Sequence, residues 1–118
     1  MSKTPLSDTD ISARLRDLPD WRVENGALTR DLKTDGWPTT LMVVNAIGFL
    51  AEAADHHPDL QVSWGSVRIA LSTHTAKGIT DKDFALAGEM ERLAFWRPGA
   101  DSPLTGTRRE WIRGGSKA

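Results

Sequence analysis

The chain has 118 residues, 39% hydrophobic and 26% charged, which is enough apolar material for one core and unlike a disordered polymer. Fifteen basic against sixteen acidic residues leave a formal charge of −1, so no long-range field draws nucleic acid or an anionic membrane. The absence of cysteine excludes disulfide scaffolds, thiolate catalysis and cysteine-ligated metals.

The N-terminal M-S-K-T-P-L-S-D lacks the apolar run of a signal peptide, and no apolar stretch reaches the roughly 18 residues of a membrane span. A cytoplasmic protein is expected. Ser7 begins an S-D-T-D start, and Ile11, Leu15 and Leu18 fall at helical spacing before Pro19 stops the run, predicting a first helix over Ser7 to Leu18. Trp21 and Val23 alternate, Glu24 to Ala27 reads as a turn, and Leu28 to Lys33 returns as a second strand. Asp35-Gly36-Trp37-Pro38 carries helix-start signals, and Leu41, Val44, Ile47, Phe49 and Leu50 continue a long helix nearly to Asp55. Pro58 is expected to end it, because the residue before proline is pushed out of the helical region.

Leu60, Val62 and Trp64 alternate with polar residues, Gly65-Ser66 reads as a turn, and Val67, Ile69, Leu71 and Thr73 alternate with Arg68, Ala70, Ser72 and His74. That period puts His74 on the polar side of its strand, with Arg68 and Ser72. Gly78 closes a turn, Thr80 with Asp83 three residues on resembles a helix start, and Phe84, Ala87, Met90 and Ala94 carry the helical period. The predicted architecture is α+β: a four-stranded antiparallel sheet with three helices on one face, in the order αββαββα. Residues 1–96 form the domain, and 97–118, rich in Pro, Gly, Ser and Arg, reads as a tail or lid.

All three histidines, His56, His57 and His74, fall within 19 residues, and histidine's ordinary pKa lies closest to neutral. Glu52 lies one helical turn before His56, and Asp83 opens the next helix, so two carboxylates are available to orient imidazoles. Three imidazoles and a carboxylate can also bind zinc, but neither H-x-H nor H-x-x-x-H spacing occurs, so no metal site is expected.

The segments A-E-A-A-D-H-H-P-D (51–59), V-x-I-x-L-S-T-H (67–74) and G-I-T-D-K-D-F-A-L-A (78–87), at their fixed intervals, resemble the pterin-4a-carbinolamine dehydratase family. The likeness is strong in the second half of the domain and weaker around Trp21 and Leu28 to Lys33. It implies a lyase of tetrahydrobiopterin recycling that dehydrates 4a-hydroxytetrahydropterin to quinonoid dihydropterin, needing no cofactor and assembled as a homodimer or homotetramer. It further implies acid–base work for His56 and His74, pterin holding by His57, and orienting or binding roles for Glu52, Pro58, Thr73, Asp83, Trp21 and Trp64. The chain departs from the family pattern at Leu60, at Trp64-Gly65, at Thr75, where an acidic residue is usual, and at Leu32-Lys33-Thr34.

The same family includes protein-binding members, a homeodomain dimerisation cofactor and carboxysome-associated RuBisCO assembly factors among them. A non-catalytic factor with a protein client such as RuBisCO is therefore the alternative expectation. A tail bearing Arg108, Arg109, Trp111 and Arg113 suits it, since Arg and Trp are enriched at binding hot spots.

Overall fold

A computed structural model describes residues 4–113 in the order α1 (Asp8–Leu15), β1 (Arg22–Glu24), β2 (Ala27–Thr34), α2 (Trp37–Ala54), β3 (Asp59–Ser63), β4 (Ser66–Leu71), a 3₁₀ turn (His74–Ala76), α3 (Asp81–Ala94) and β5 (Ile112–Arg113). Residues 1–3, which belong to the N-terminal run read for a leader, and 114–118, the end of the expected tail, lie outside the described residues. Among the described residues no helix is long and apolar enough to cross a membrane.

The sheet is antiparallel in the order β1-β2-β4-β3. Register explains which face is dry. Leu28 opposes Leu71, and Leu32 opposes Val67, so with Ile69 these residues present one apolar row, buried beneath Val43 and Ile47 of α2 and Phe84, Ala87 and Met90 of α3. The opposite face carries an ion network in which Asp31 accepts from Arg68 and Arg22, and Glu24 meets both arginines. The Arg68 guanidinium first, then Arg22, holds the Asp31 carboxyl below the usual carboxylate range.

One charge breaks the apolar row. Arg30, opposite Ile69, is 2% exposed and reaches Glu91 of α3 at 2.6 Å, while the Trp21 indole donates to the same carboxylate at 2.9 Å. Arg30 also lies over the Phe95 ring. A buried guanidinium is tolerated only with such a partner set, and the set ties the end of α3 to the sheet.

Two helix ends differ from expectation. α1 ends at Leu15, and Arg16 to Leu18 continue only as tight turns with bonds from Arg16 to Ala13 and from Leu18 to Leu15. Ser7 is its N-cap, accepting from the Asp10 N–H. α2 is not stopped by Pro58. Asp55 adopts φ 52° just after Ala54, and the N–H groups of Asp55 and His56 return to the carbonyls of Glu52 and Ala51, a left-handed closure that frees the chain before either histidine. At its other end Gly36 has φ 148°, a conformation that favours glycine, and a Cβ there would press on the Trp64 ring at 3.3 Å.

The expected four strands gain a short fifth. β5 adds to the edge of β2 that β1 leaves open, with Thr34 opposite Ile112 and Lys33 opposite Arg113. The segment leading to it is fastened at several points: Asp35 N–H to the Trp111 carbonyl at 3.0 Å, Arg109 to Asp35 Oδ2 at 2.7 Å, and Arg113 to the Thr34 carbonyl at 3.3 Å. Arg109, Trp111 and Arg113 thus spend contacts on their own chain.

Candidate active site

The segments carrying the histidines meet because β3 and β4 are antiparallel neighbours. Asp59 pairs with Ala70, so the residues just before Asp59 run beside those just after Ala70. His56, His57 and Pro58 leave the end of α2 there, and Ser72, Thr73, His74 and Thr75 leave β4. Together with Asp55, Asp59 and Lys82 they line one open cavity of about 380 Å³. His74 sits at the head of the 3₁₀ turn rather than at a strand end, since β4 stops at Leu71 and Thr73 makes only an isolated bridge to Gly78.

A buried hydrogen-bond chain lies behind this cavity. The Asp83 carboxylate is fully buried and uses both oxygens: Oδ1 lies 2.6 Å from His56 Nε2, and Oδ2 accepts from the Thr80 N–H at 2.9 Å and the Thr73 hydroxyl at 2.9 Å. Thr80 and Asp83 form the capping box that starts α3. The Thr73 proton is committed to Asp83, so the 2.7 Å contact between the Thr73 and Thr80 hydroxyls runs from Thr80 to Thr73, and Thr80 in turn accepts from the Lys82 N–H at 3.3 Å. Each hydroxyl has one donor direction. A carboxylate filled in this way accepts at Oδ1, which places a proton on His56 Nε2 and leaves Nδ1 as the nitrogen available to a neighbour.

His57 is held differently. Its Nε2 lies 2.9 Å from Glu52 Oε1, with the two side chains 55% and 83% exposed. Glu52, expected to serve the histidine one turn ahead, faces His57, because the left-handed Asp55 turns His56 away from the helix face. Among the described residues His74 makes no side-chain hydrogen bond, and it is exposed in the cavity wall.

Two expected pocket residues are placed elsewhere. Trp21 is core, 4% exposed and bonded to Glu91. Trp64 is 68% exposed at the β3–β4 turn, packed by its ring against Gly36, and its carbonyl accepts from the Thr40 hydroxyl. Neither lines the histidine cavity. Alternation placed each tryptophan in a strand, whereas Trp21 immediately precedes β1 and Trp64 lies in the turn between β3 and β4. Asp55, Asp59, Ser72 and Lys82 were not singled out from sequence. The signal for Ser72 was present, since it shares the strand period of His74, whereas Lys82 is brought in by the helix start beside Asp83.

A family model described as Pterin 4 alpha carbinolamine dehydratase matches residues 4–93. The chain belongs to that family. Relatives named "Putative pterin-4-alpha-carbinolamine dehydratase" include one from Chloroflexus aurantiacus, 42% identical over 88 residues, covering 75% of this chain and 95% of that protein. Another, from Nocardia farcinica, is 37% identical over 94 residues, covering 80% of this chain and 99% of that one. A crystal structure of a transcriptional coactivator/pterin dehydratase from Brucella melitensis superposes with a TM-score of 0.73 at 28% identity, over 77% of this chain and 99% of that one. A pterin dehydratase-like protein identified as a RuBisCO assembly factor in the alpha-carboxysome shares the fold, with a TM-score of 0.54 at 20% identity over 64% of this chain and 87% of that one.

Proposed function

We propose that the protein dehydrates a 4a-hydroxytetrahydropterin to the quinonoid dihydropterin and water, with His56, His57 and His74 as the working groups. The observation that carries this reading is that three imidazoles with three different hydrogen-bonding situations line one cavity. Losing water from a carbinolamine requires a base for the ring-nitrogen proton and an acid for the departing hydroxyl, and histidine serves both near neutral pH. His56, its Nε2 proton fixed on Asp83, offers Nδ1 as the base. His74, without a competing hydrogen bond, delivers the proton to the leaving oxygen. His57, braced by Glu52, holds the pterin edge. Thr73 and Pro58 shape the wall, Thr73 also fixing Asp83. The net change is loss of one water with no change in oxidation state, so the step requires no redox cofactor.

The test is the decay of 4a-hydroxytetrahydropterin followed with and without protein. Acceleration well above the buffer rate is expected, and a decay unchanged by the protein would overturn the reading. The cytoplasm is its proposed location. Exposed Phe49, Val62 and Trp64, on α2 and around the edge strand β3, favour a homo-oligomer in solution, which light scattering decides.

A non-catalytic role with a protein client is the second reading, and the RuBisCO assembly factor supports it by likeness of fold alone. The full chain failing to turn over the pterin while retaining a protein client would favour it.

A further inference from the structure

Two side chains of this protein stand directly before a glycine and can close a five-membered imide with its nitrogen: Asn25 before Gly26, and Asp35 before Gly36. The backbone nitrogen attacks the side-chain carbonyl carbon, and a glycine leaves that nitrogen unscreened by any Cβ. The structure separates the two positions. At Asp35 both reacting groups are held. The Gly36 N–H donates to the Thr34 hydroxyl at 3.3 Å, while the carboxylate accepts from the Thr39 hydroxyl at 2.6 Å and from Arg109, on the C-terminal strap that leads to β5, at 2.7 Å.

At Asn25 neither group is held. The β1–β2 ladder closes at Glu24 and Ala27, leaving a loop of Asn25 at φ 53° and Gly26 at φ 76°, the tight hairpin turn with both central residues left-handed. Both residues are exposed, and a Cβ on Gly26 would meet nothing within 4 Å. Among the described residues neither the Asn25 amide nor the Gly26 N–H makes a hydrogen bond. The other asparagine, Asn45, lies inside α2, where the following N–H belongs to the helix ladder and to a residue with a Cβ, Ala46.

We propose that Asn25 is a site of spontaneous covalent modification, converting to a mixture of aspartate and isoaspartate. The Gly26 nitrogen gives up its proton and bonds to Asn25 Cγ, the bond from Cγ to the side-chain nitrogen breaks, and ammonia leaves a succinimide behind. Water then opens the ring at one of its two carbonyls. One opening gives aspartate, and the other gives isoaspartate, whose main chain runs through the former side chain. One water is consumed and one ammonia released, with no change in oxidation state.

Isoaspartate adds one main-chain carbon to a two-residue loop whose ends are paired, and it does so beside a strand of only three residues. Loop length sets the register of a hairpin, so β1 loosens from β2. With it Arg22 loses its hold on Asp31, and Glu24 its hold on Arg68.

The test incubates the full chain in mildly alkaline buffer, digests it in acid and reads each position by mass spectrometry, with electron-transfer fragmentation to tell isoaspartate from aspartate. Residue 25 should convert in the folded chain, isoaspartate among its products, while residues 35 and 45 stay unchanged over the same time. The converted chain, recovered by anion exchange through its added negative charge, should unfold at lower guanidinium concentration than the unmodified chain. Asn25→Asp, which adds the same charge without the extra main-chain atom, should unfold like the wild type. An Asn25 that stays intact in the folded chain while converting in guanidinium would overturn the proposal, because the hairpin would then protect it. So would conversion of Asp35 in the folded chain as fast as that of Asn25, or an isoaspartyl chain that unfolds at the wild-type midpoint.

Discussion

Asp83 Oδ1 lies 2.6 Å from His56 Nε2 across 27 residues of sequence, and the carboxylate making that contact is fully buried. One side chain therefore starts α3, closes the Thr73–Thr80 hydroxyl chain and selects the tautomer of His56. Asp83→Asn removes one acceptor from a set of three donors and sets an N–H against at least one of them. The expected outcome is a fall of about 10- to 100-fold in kcat/KM together with a loss of about 1–3 kcal/mol in urea unfolding. An unchanged rate with lowered stability would confine Asp83 to capping.

Trp21 separates fold from chemistry. Trp21→Phe keeps the core aromatic but loses the bond to Glu91, so stability falls by about 1 kcal/mol while turnover is preserved. Glu91→Ala goes further: it leaves Arg30, 3% exposed at its side chain, without its main partner, and a cost of about 3–5 kcal/mol in chemical denaturation is expected. Activity lost in Trp21→Phe at full stability would return Trp21 to the pocket.

Asp55 is a non-glycine residue held at φ 52° immediately before His56. Asp55→Gly relieves that backbone cost, and thermal unfolding should show a gain of about 0.5–1 kcal/mol at most, offset in part by the freer unfolded chain. A marked loss of stability would mean that the carboxylate, not the turn, holds the helix end.

The C-terminal strap should release in acid. A hydrogen bond from Thr39 first, and the Arg109 guanidinium second, hold the Asp35 carboxyl below the usual carboxylate range. A carboxyl depressed in the folded state contributes its stability above its unfolded value, about 3.9, and loses it as pH falls through the folded one. Trp111 should therefore become more exposed below about pH 4, the unfolded aspartate value. Asp31, lowered by Arg68 and Arg22, titrates in the same direction on the far face of the sheet, so the comparison with Asp35→Asn isolates the strap. Asp35→Asn is expected to show the exposed Trp111 signal already at neutral pH. A signal identical to the wild type at every pH would detach Asp35 from the strap.

The element order and the helix-covered sheet were legible because periodicity reports burial directly, as Val67, Ile69 and Leu71 against Arg68 and Ala70 do. The histidine neighbourhood was legible because two short motifs flank an antiparallel pair. What periodicity does not encode is lateral position. Trp21 and Trp64 have the same apolar character, yet one is anchored to Glu91 in the core and the other caps the outside of Gly36. Arg30 shares the period of Leu28 and Leu32, and it is held in their row by Glu91 of α3, a partner that alternation within β2 does not supply. The docking of Trp111 and Ile112 depends on a two-residue strand, too short for any alternation to reveal.

The measurement closest to the central claim is the dehydration rate of His74→Ala against the wild type, with circular dichroism confirming an intact fold. The account predicts a loss of about a hundredfold or more in the catalysed rate, the contribution of one positioned acid. A folded His74→Ala protein that dehydrates 4a-hydroxytetrahydropterin as fast as the wild type would contradict it.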